Sequence, residues 1–464
     1  MKVLLVQHSK ENTRFYPAGL GYVAAALREE GHDVRFLELA FEDDPVAALD
    51  NKIRRFDPQA LGLTLWTSQY PQFARLMNES KLARGLTVVA GGPHASAAAE
   101  DVIADGLVDV VVRGEGEVIA PALFSALADG GNLAAVQGIA FRDAEGHFVQ
   151  TPEVGRAADL KAMPWPAYDL FDLRRYYNPI HGRNSMSVMT SRGCPHKCVF
   201  CYRGPTGGRK VRFIDVEEVF QELCRLQDQF GYQAFYFSDD IFTLNPHRIR
   251  VLCERIIASG RRIYWVCQTR ADCVDRDLLV CMKKSGCVAV YFGVESGSQH
   301  ILDKLNKRLS LADIRQAFAC CRELRIATVA TFILGLPWET PETIRQSMDL
   351  AKEIKPTVSA FLVATPYPGT RLRELFLERG MFVPQDHRDY RQFVEGDVGG
   401  GGSRELDEVG RNCIAATREV VMAQIKDVLS YPRLLTELVN LYGFRSLVRR
   451  AWRRIWSVLL RPRG

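Results

Sequence analysis

Three cysteines stand close together in the 464-residue chain, at Cys194, Cys198 and Cys201. Their spacing is C-x3-C-x2-C, whereas the other nine cysteines are scattered through predicted helices and strands, where a thiol usually packs as a small buried hydrophobe. Three thiolates on one loop can converge on a single metal centre and leave one coordination position open. The segment therefore predicts a metal centre held by three thiolates. A zinc knuckle and three incidental core thiols are the alternatives.

This loop follows the first strand of a series in which strands and helices alternate from Ser187 onward. The predicted strands cover 187–190, 234–238, 264–268, 288–293, 329–334 and 360–365, with helices such as 216–229, 248–258, 311–324 and 342–353 between them. Six parallel strands indicate a barrel or an open partial barrel. Its chemistry is expected at the carboxyl ends of the strands.

An earlier alternating series occupies the first 130 or so residues. Its predicted strands are 3–7, 34–39, 61–66, 87–90 and 109–112, and its predicted helices are 22–28, 47–54, 73–83, 97–104 and 120–127. Five such units predict a doubly wound parallel sheet of the flavodoxin or Rossmann type. Sheets of this type bind ligands at the carboxyl ends of their strands.

The three-cysteine loop, with an aromatic residue before its last cysteine and a barrel-like series around it, resembles the radical S-adenosylmethionine (SAM) superfamily. The resemblance implies that Cys194, Cys198 and Cys201 bind three irons of a four-iron, four-sulfur (4Fe-4S) cluster, and that SAM chelates the fourth iron. A ferredoxin is a poor alternative because electron carriers use four cysteines per cluster. The implied SAM contacts are Phe200, Tyr202, Ser238, Asp239, Gln268, Arg270, Glu295, Ser296 and Gly335.

Several segments of the first series lie where a large ligand would bind. Adjacent glycines at 91 and 92 let the backbone approach such a ligand closely. Placed before a radical SAM barrel, these segments resemble the cobalamin-binding domain of the cobalamin-dependent radical SAM family. The implied cobalamin contacts are Gly19, Thr64, Trp66, Gly91, Gly92, His94, Gly114 and Glu115. An empty remnant of the same fold is the alternative, since a fold does not guarantee its ligand.

One feature of other cobalamin proteins is missing from the sequence. The signature D-x-H-x-x-G, which supplies a histidine to cobalt, is absent at all nine histidines. The resemblance therefore implies a cobalamin without a protein histidine below its cobalt. His94 is expected to be a loop or ring-contact residue.

The resemblance implies an enzyme whose reduced cluster splits SAM into a 5′-deoxyadenosyl radical that removes a substrate hydrogen. The cobalamin then delivers a methyl group, so that an unactivated carbon of a small-molecule or lipid-like substrate is methylated. Oxidative cyclisation or ring rearrangement without methyl transfer is a second reading, and a non-enzymatic corrinoid carrier or sensor is a third. Methylthiolation of tRNA is disfavoured, because residues 1–193 contain no cysteine for a second cluster.

The sequence predicts a cobalamin-binding domain at 1–135, a linker at 136–185, a radical SAM barrel at 186–395 and a helical region at 396–464. No secretory or membrane-spanning segment is evident, so a cytoplasmic location is expected. The small formal charge of +5 gives no argument for a nucleic-acid partner. An electron donor such as flavodoxin or ferredoxin is expected as a partner.

The last stretch of the chain is basic. Residues 431–464 contain eight arginines and one acidic residue, and from Phe444 the apolar residues fall on one helical face. This pattern predicts either reversible attachment to the inner face of the membrane or a C-terminal helix docked on the barrel.

Overall fold

We describe the fold from a computed structural model of the chain. It describes residues 1–8, 16–154, 160, 163–178, 182–183, 185–202, 204, 208–384, 386 and 390. The chain divides into two compact units. The first contains 1–176, 189–215 and the described part of 365–397, and the second contains 177–188 and 216–364. By its contacts, the three-cysteine loop therefore belongs to the first unit.

The first unit is built on a seven-stranded sheet with the strand order β2-β1-β3-β4-β5-β6-β7. Its elements are β1 (Lys2–Gln7), α1 (Ala18–Glu29), β2 (Asp33–Glu38), α2 (Pro45–Phe56), β3 (Ala60–Thr64), α3 (Tyr70–Glu79), β4 (Thr87–Gly91), α4 (Gly92–Ala97), α5 (Ala99–Ala104), β5 (Val110–Val112), α6 (Gly116–Asp129), β6 (Ile139–Arg142) and β7 (Phe148–Gln150). The first five strands are parallel, as predicted.

Side chains alternate between the two faces of this sheet. On β1, Val3 and Leu5 pack in one buried cluster with residues of α1 and α6. Leu4 and Val6 pack in the other, with residues of α2, α3 and α5. Because successive strand residues point to opposite faces, a continuous apolar run such as β1 requires helices on both sides. The predicted doubly wound arrangement is confirmed.

The sheet continues beyond β5 as an antiparallel hairpin. Val111 pairs with Ala140, and Phe141 pairs with Val149. These strands lie within 136–185, which the sequence analysis expects to be a linker. Strands of four and three residues are too short for a period-two pattern to stand out from a loop, which is why the sequence did not predict them.

The second unit contains a six-stranded parallel sheet with the order β10-β13-β14-β15-β16-β17. Its elements are the short antiparallel pair β8 (Tyr177–Asn178) and β9 (Gly182–Arg183), then β10 (Ser185–Val188), α7 (Val216–Phe230), β13 (Ala234–Phe237), α8 (Pro246–Ala258), β14 (Tyr264–Thr269), α9 (Arg276–Lys284), β15 (Cys287–Glu295), α10 (Gln299–Lys304), α11 (Leu311–Glu323), β16 (Ala327–Leu334), α12 (Pro341–Ile354) and β17 (Val358–Val363). Each strand lies beside the next in sequence, so the predicted partial barrel is confirmed.

Between β10 and α7 the chain contributes β11 (Ser191–Arg192) and β12 (Arg212–Phe213) to the first unit. The helix α13 (Arg371–Glu378), which follows β17, also belongs to the first unit.

In the second unit, one face of the sheet carries large aromatic side chains. Phe237 stacks on Phe242 at 4.5 Å, and the rings of Phe237 and Trp265 lie 5.4 Å apart. This apolar face is the packed core of the unit.

No helix in the described part of the chain is long and apolar enough to cross a membrane. The predicted helical region at 396–464 and its basic amphipathic tail lie outside the described residues.

Candidate functional site

The three-cysteine loop begins and ends at a short antiparallel ribbon. In this ribbon, formed by β11 and β12, Arg192 lies opposite Arg212. Gly193 follows with a φ of 96°, which only glycine adopts readily, and the backbone N–H of Cys194 donates to the carbonyl of Gly208 at 3.1 Å. Two of the thiols are buried and that of Cys201 is half-buried. The ribbon thus closes the loop at its base.

A second group of possible metal ligands lies away from the three-cysteine loop. Across the described residues, one set of three His, Cys, Asp or Glu side chains brings all its ligand atoms within 4.8 Å of one another, namely Asp143, Glu145 and His147. This set lies in the turn between β6 and β7, and two of its three side chains are exposed.

The aromatic residues of the loop, Phe200 and Tyr202, are both half-buried. Burial raises the pKa of Tyr202 to about 12, so its phenol stays protonated. A Cβ at Gly369 would lie 2.7 Å from Cε2 of this ring, and φ at Gly369 is +73°. Gly369 therefore allows the chain before α13 to pass directly against Tyr202.

Polar side chains lie at the carboxyl ends of β1 and β3, on either side of the point where the strand order reverses. Here Gln7 and His8 are buried, and Gln69 is fully enclosed. Among the described residues, neither side-chain amide atom of Gln69 has a hydrogen-bond partner, and the same holds for Oε1 of Gln7 and Nδ1 of His8. Buried polar groups without partners are rare, so this set fits a ligand rich in amides, as the corrin ring of cobalamin is.

Trp66 and His8 also lie at this edge, and the exposed side chain of Trp66 fits a large ring. Trp66 follows β3 with 45% of its surface exposed, although tryptophan is normally mostly buried. His8, by contrast, is buried, and its Nε2 donates to the backbone carbonyl of Gln69 at 3.4 Å, while its Nδ1 has no partner among the described residues. Burial lowers the pKa of His8 to about 4, so the ring is neutral at physiological pH. The sequence analysis missed Gln7, His8 and Gln69, since only their burial without partners distinguishes them.

The predicted cobalamin contacts on β3 and β4 lie at the same edge. Thr64 and Gly91 are the last residues of neighbouring paired strands. Gly92 has a φ of +92°, and a Cβ there would lie 3.0 Å from Oγ1 of Thr64. His94 is 1% exposed, and its Nδ1 lies 3.0 Å from the hydroxyl of Thr67, so its imidazole is engaged within the domain. Gly19, in the first turn of α1, has open space around it.

Gly114 and Glu115 follow β5, but the Glu115 carboxylate is already engaged. It forms ion pairs with Arg212 and Arg192 from the two strands of the cysteine ribbon. Burial alone would raise the pKa of Glu115, but the hydrogen bonds and charges of these arginines outweigh it and lower the pKa. The structure therefore brings Glu115 to the base of the three-cysteine loop, a contact that the sequence analysis did not predict.

In the second unit, predicted SAM contacts lie at the carboxyl ends of β13 and β14. The amide of Gln268 donates to the backbone carbonyl of Asp239 at 2.9 Å and accepts from the hydroxyl of Tyr236 at 3.0 Å. Ser238 is tied to β10 through its backbone N–H, which donates to Val188. Arg270 is 4% exposed and pairs with Asp272 at 2.7 Å. The carboxyl ends of these parallel strands thus carry amide, carboxylate and guanidinium groups, which are the kinds of group that pair with the amino and carboxylate groups of an amino acid.

The end of β15 shows a strained backbone. Glu295 has a φ of 66°, in the left-handed region that non-glycine residues seldom adopt, and strain of this kind clusters at functional sites. Its carboxylate pairs with Lys307 at 2.7 Å, and both side chains are buried. The next residue, Ser296, is fully buried and lies 3.2 Å from the hydroxyl of Ser347. Lys307 is a further residue of this region that the sequence analysis did not identify.

The turn after β16 is held by a carboxylate. Gly335 has a φ of 86°, and the backbone N–H groups of Gly335 and Leu336 both donate to Oε2 of Glu339, at 2.5 and 2.9 Å. Burial raises the pKa of Glu339 to about 7, while the two backbone bonds oppose this shift. The sequence analysis identified Gly335 and missed Glu339. The sequence did contain a signal for Glu339. This residue follows Gly335 by four positions and directly precedes Thr340, the N-cap of α12.

Two family models match the chain. Residues 10–124 match the B12 binding domain, and residues 188–351 match the radical SAM superfamily. An uncharacterised methyltransferase of Pyrococcus horikoshii is 33% identical over 399 residues, which cover 84% of this chain and 86% of the relative. The anaerobic magnesium-protoporphyrin IX monomethyl ester cyclase of Cereibacter sphaeroides is 30% identical over 368 residues, which cover 77% of this chain and 59% of that enzyme.

A solved structure has a similar fold. It is that of TsrM, a radical S-adenosylmethionine methyltransferase from Kitasatospora setae with cobalamin and a [4Fe-4S] cluster bound. The TM-score is 0.69 at 22% sequence identity, over 83% of this chain and 79% of TsrM.

Proposed function

Because the chain belongs to the cobalamin-dependent radical SAM enzymes, we propose that it methylates an unactivated carbon of a small-molecule or lipid-like substrate. Membership confirms the family, the enzyme class and the three cofactors predicted from the sequence, namely a 4Fe-4S cluster, SAM and cobalamin. The carrier-only reading is thereby excluded. The reaction and the substrate class belong to the proposal.

One observation carries this proposal. A single chain contains a three-thiol loop, in which two thiols are buried, and a flavodoxin-like sheet whose switch point exposes Trp66 beside buried amide atoms that have no partner among the described residues. A methyl transfer to carbon needs a means of removing a hydrogen and a separate methyl carrier, and this chain has a candidate site for each. The methyltransferase among its relatives supports the same outcome.

When bound, the three cofactors supply one-electron cleavage of SAM and a transferable methyl group. The residues of this chain hold and orient them. Cys194, Cys198 and Cys201 would ligate the cluster, the turn fixed by Glu339 would lie against SAM, and Gln69 would bond an amide of the corrin. The turn at Gly335 is already fixed by two backbone hydrogen bonds to Glu339, which limits the reorganisation needed there.

The proposal is tested by anaerobic reconstitution with iron, sulfide and hydroxocobalamin. Reconstituted protein, a reductant and SAM carrying a trideuteromethyl group are added to a small-molecule extract of the source cells. We expect 5′-deoxyadenosine and a product that carries the label on carbon. The protein with alanine at all three loop cysteines is the control and should form neither. No 5′-deoxyadenosine from the cluster-loaded protein would contradict the proposal.

Oxidative ring closure is the second candidate, and the 30% identity to a magnesium-protoporphyrin cyclase favours it. The same assay distinguishes the two. A cyclase would form 5′-deoxyadenosine and a product that has lost hydrogen atoms without gaining the label.

Two further parts of the proposal concern partners. A flavodoxin or ferredoxin would supply the electron, since SAM cleavage requires a reduced cluster. The basic segment 431–464 would attach the protein reversibly to an anionic membrane, where each arginine near the surface contributes on the order of 1 kcal/mol.

A further inference from the structure

Four charged side chains form a buried network at the base of the three-cysteine loop. Two are carboxylates that follow β5, Glu115 and Glu117, and two are arginines of the cysteine ribbon, Arg192 and Arg212. Their side chains are between 5% and 12% exposed. The network contains two negative and two positive charges, so its net charge is zero.

The two arginines would repel each other without the carboxylates. They lie directly opposite in the β11–β12 pair, an arrangement that is unfavourable for like charges. Glu115 bridges them, since its Oε2 accepts from Nη1 of Arg212 at 3.0 Å and its Oε1 lies 3.4 Å from Nη1 of Arg192. Glu117 forms a second ion pair with Arg192. Closing the ribbon therefore depends on carboxylates contributed by a different part of the chain.

The rest of the network fixes the orientation of Arg192. Its guanidinium lies over the ring of Tyr22 at 5.5 Å, and its Nε donates to the sulfur of Met189 at 3.2 Å. Arg192 precedes Cys194 by two residues, so their Cα atoms are at most about 7 Å apart. Because the side chain of Arg192 is largely buried, solvent only weakly screens its charge from a cluster that Cys194 would bind two residues further along the chain.

We propose that Glu115 and Glu117 are positioning residues for the iron–sulfur cluster: they close the ribbon at the base of the three-cysteine loop and balance its arginines. The inference rests on the proposed cluster. It follows that the reduction potential of the cluster depends on the charge of this network, because reduction adds an electron and a nearby positive charge favours the reduced state.

The test measures the midpoint potential of the reconstituted cluster by EPR-monitored titration. Glu115→Gln leaves one positive charge in excess and should shift the potential to a less negative value. Arg212→Gln leaves one negative charge in excess and should shift it the other way. The double variant restores neutrality and should return close to the unsubstituted protein.

Controls separate charge from loss of structure. Glu79→Gln removes a carboxylate from an exposed ion pair with Arg75 and should leave the potential unchanged. Circular dichroism and thermal unfolding report whether each variant is folded. If Glu115→Gln cannot retain a cluster, Glu117→Gln makes the same change of charge while Glu115 still bridges the arginines, and should shift the potential in the same direction.

The outcomes are distinct. An unsubstituted protein that takes up no cluster would refute the proposed function itself. A normal cluster whose potential is the same in the glutamate variants, the arginine variant and the Glu79→Gln control would overturn the inference and leave the proposed function standing. Shifts of the same sign for Glu115→Gln and Arg212→Gln would also overturn it, since they would report disturbed structure rather than charge.

Discussion

Replacing Glu38 by glutamine should raise the Tm of the protein relative to that of the unsubstituted chain, and this difference in Tm should be larger at pH 8 than at pH 6. Glu38 ends β2, is 8% exposed, and accepts a hydrogen bond from the hydroxyl of Tyr176 at 3.1 Å. Burial raises the pKa of its carboxyl to about 8, although the bond from Tyr176 opposes the shift. The folded protein therefore holds this carboxyl protonated at neutral pH.

The magnitude follows from the difference between folded and unfolded states. In the unfolded chain the carboxyl titrates near its ordinary value of 4.5, so between that pH and about 8 the folded state binds one more proton. The contribution of Glu38 to the free energy of unfolding is therefore greatest below pH 4.5, and above that pH it falls by about 1.4 kcal/mol per pH unit. The fall becomes less steep near pH 8, because there the carboxyl also ionises in the folded state. From pH 6 to pH 8 the contribution falls by about 2 kcal/mol.

Glutamine cannot ionise, so in Glu38→Gln the free energy of unfolding should not show this fall between pH 6 and pH 8. For a unit of this size, 1 kcal/mol corresponds to about 2–4 °C in Tm, so the Tm advantage of the variant should grow by about 5 °C between pH 6 and pH 8. Thermal unfolding followed by circular dichroism at both pH values measures it. Glu42→Gln, at a half-exposed carboxylate near Arg175, is the matched control and should show no such growth. An advantage that stays constant with pH would refute the reasoning.

Four other outcomes are expected. Alanine at all three positions of the three-cysteine loop should reduce bound iron from about four atoms per chain to a trace, while Cys224→Ser should not; full iron content in the triple variant would exclude the cluster assignment. Glu339→Ala should lower Tm and weaken SAM binding, because two backbone N–H groups lose their acceptor at a cost of about 1–3 kcal/mol each. Glu342→Ala, at an exposed carboxylate, should change neither Tm nor SAM affinity. An unaltered SAM affinity in Glu339→Ala would show that Glu339 is not part of the site. The EPR spectrum of bound cob(II)alamin should show no nitrogen splitting from a protein histidine, and splitting that vanishes in His8→Ala would contradict this. The full chain should pellet with anionic vesicles at low salt and a chain ending at Ser430 should not; equal pelleting would argue against membrane attachment.

The parallel strands and most of the helices could be predicted from the sequence because their signals are local. The run Val3–Val6 is continuously apolar, and the structure buries it on both faces of the sheet. The helix predicted at 311–324 is found at Leu311–Glu323, where Ser310 and Asp313 form a capping box. The β6–β7 hairpin gave no comparable signal, because neither strand is long enough to show its alternation.

Some residues of the candidate site could likewise be predicted from local sequence, whereas its contacts between distant residues could not. The three cysteines lie within eight residues of one another, so their spacing could be recognised directly. The partner of Glu115, by contrast, is Arg212, 97 residues further along the chain. Nothing local to either residue indicates that they meet. Glu295 and Lys307 are closer in sequence, but periodicity reveals neither their pairing nor the left-handed backbone at Glu295.

The direction of the β6–β7 hairpin has a practical consequence. Since β6 runs antiparallel to β5, it starts at the carboxyl edge of the sheet, where the ligand-binding residues lie, and its turn at 143–147 is at the opposite edge. The residues of this turn, Glu145 and His147 among them, are largely exposed. A fluorophore or an affinity peptide inserted there would extend away from the chemistry. This turn is therefore a suitable attachment point for single-molecule or immobilisation work on the intact enzyme.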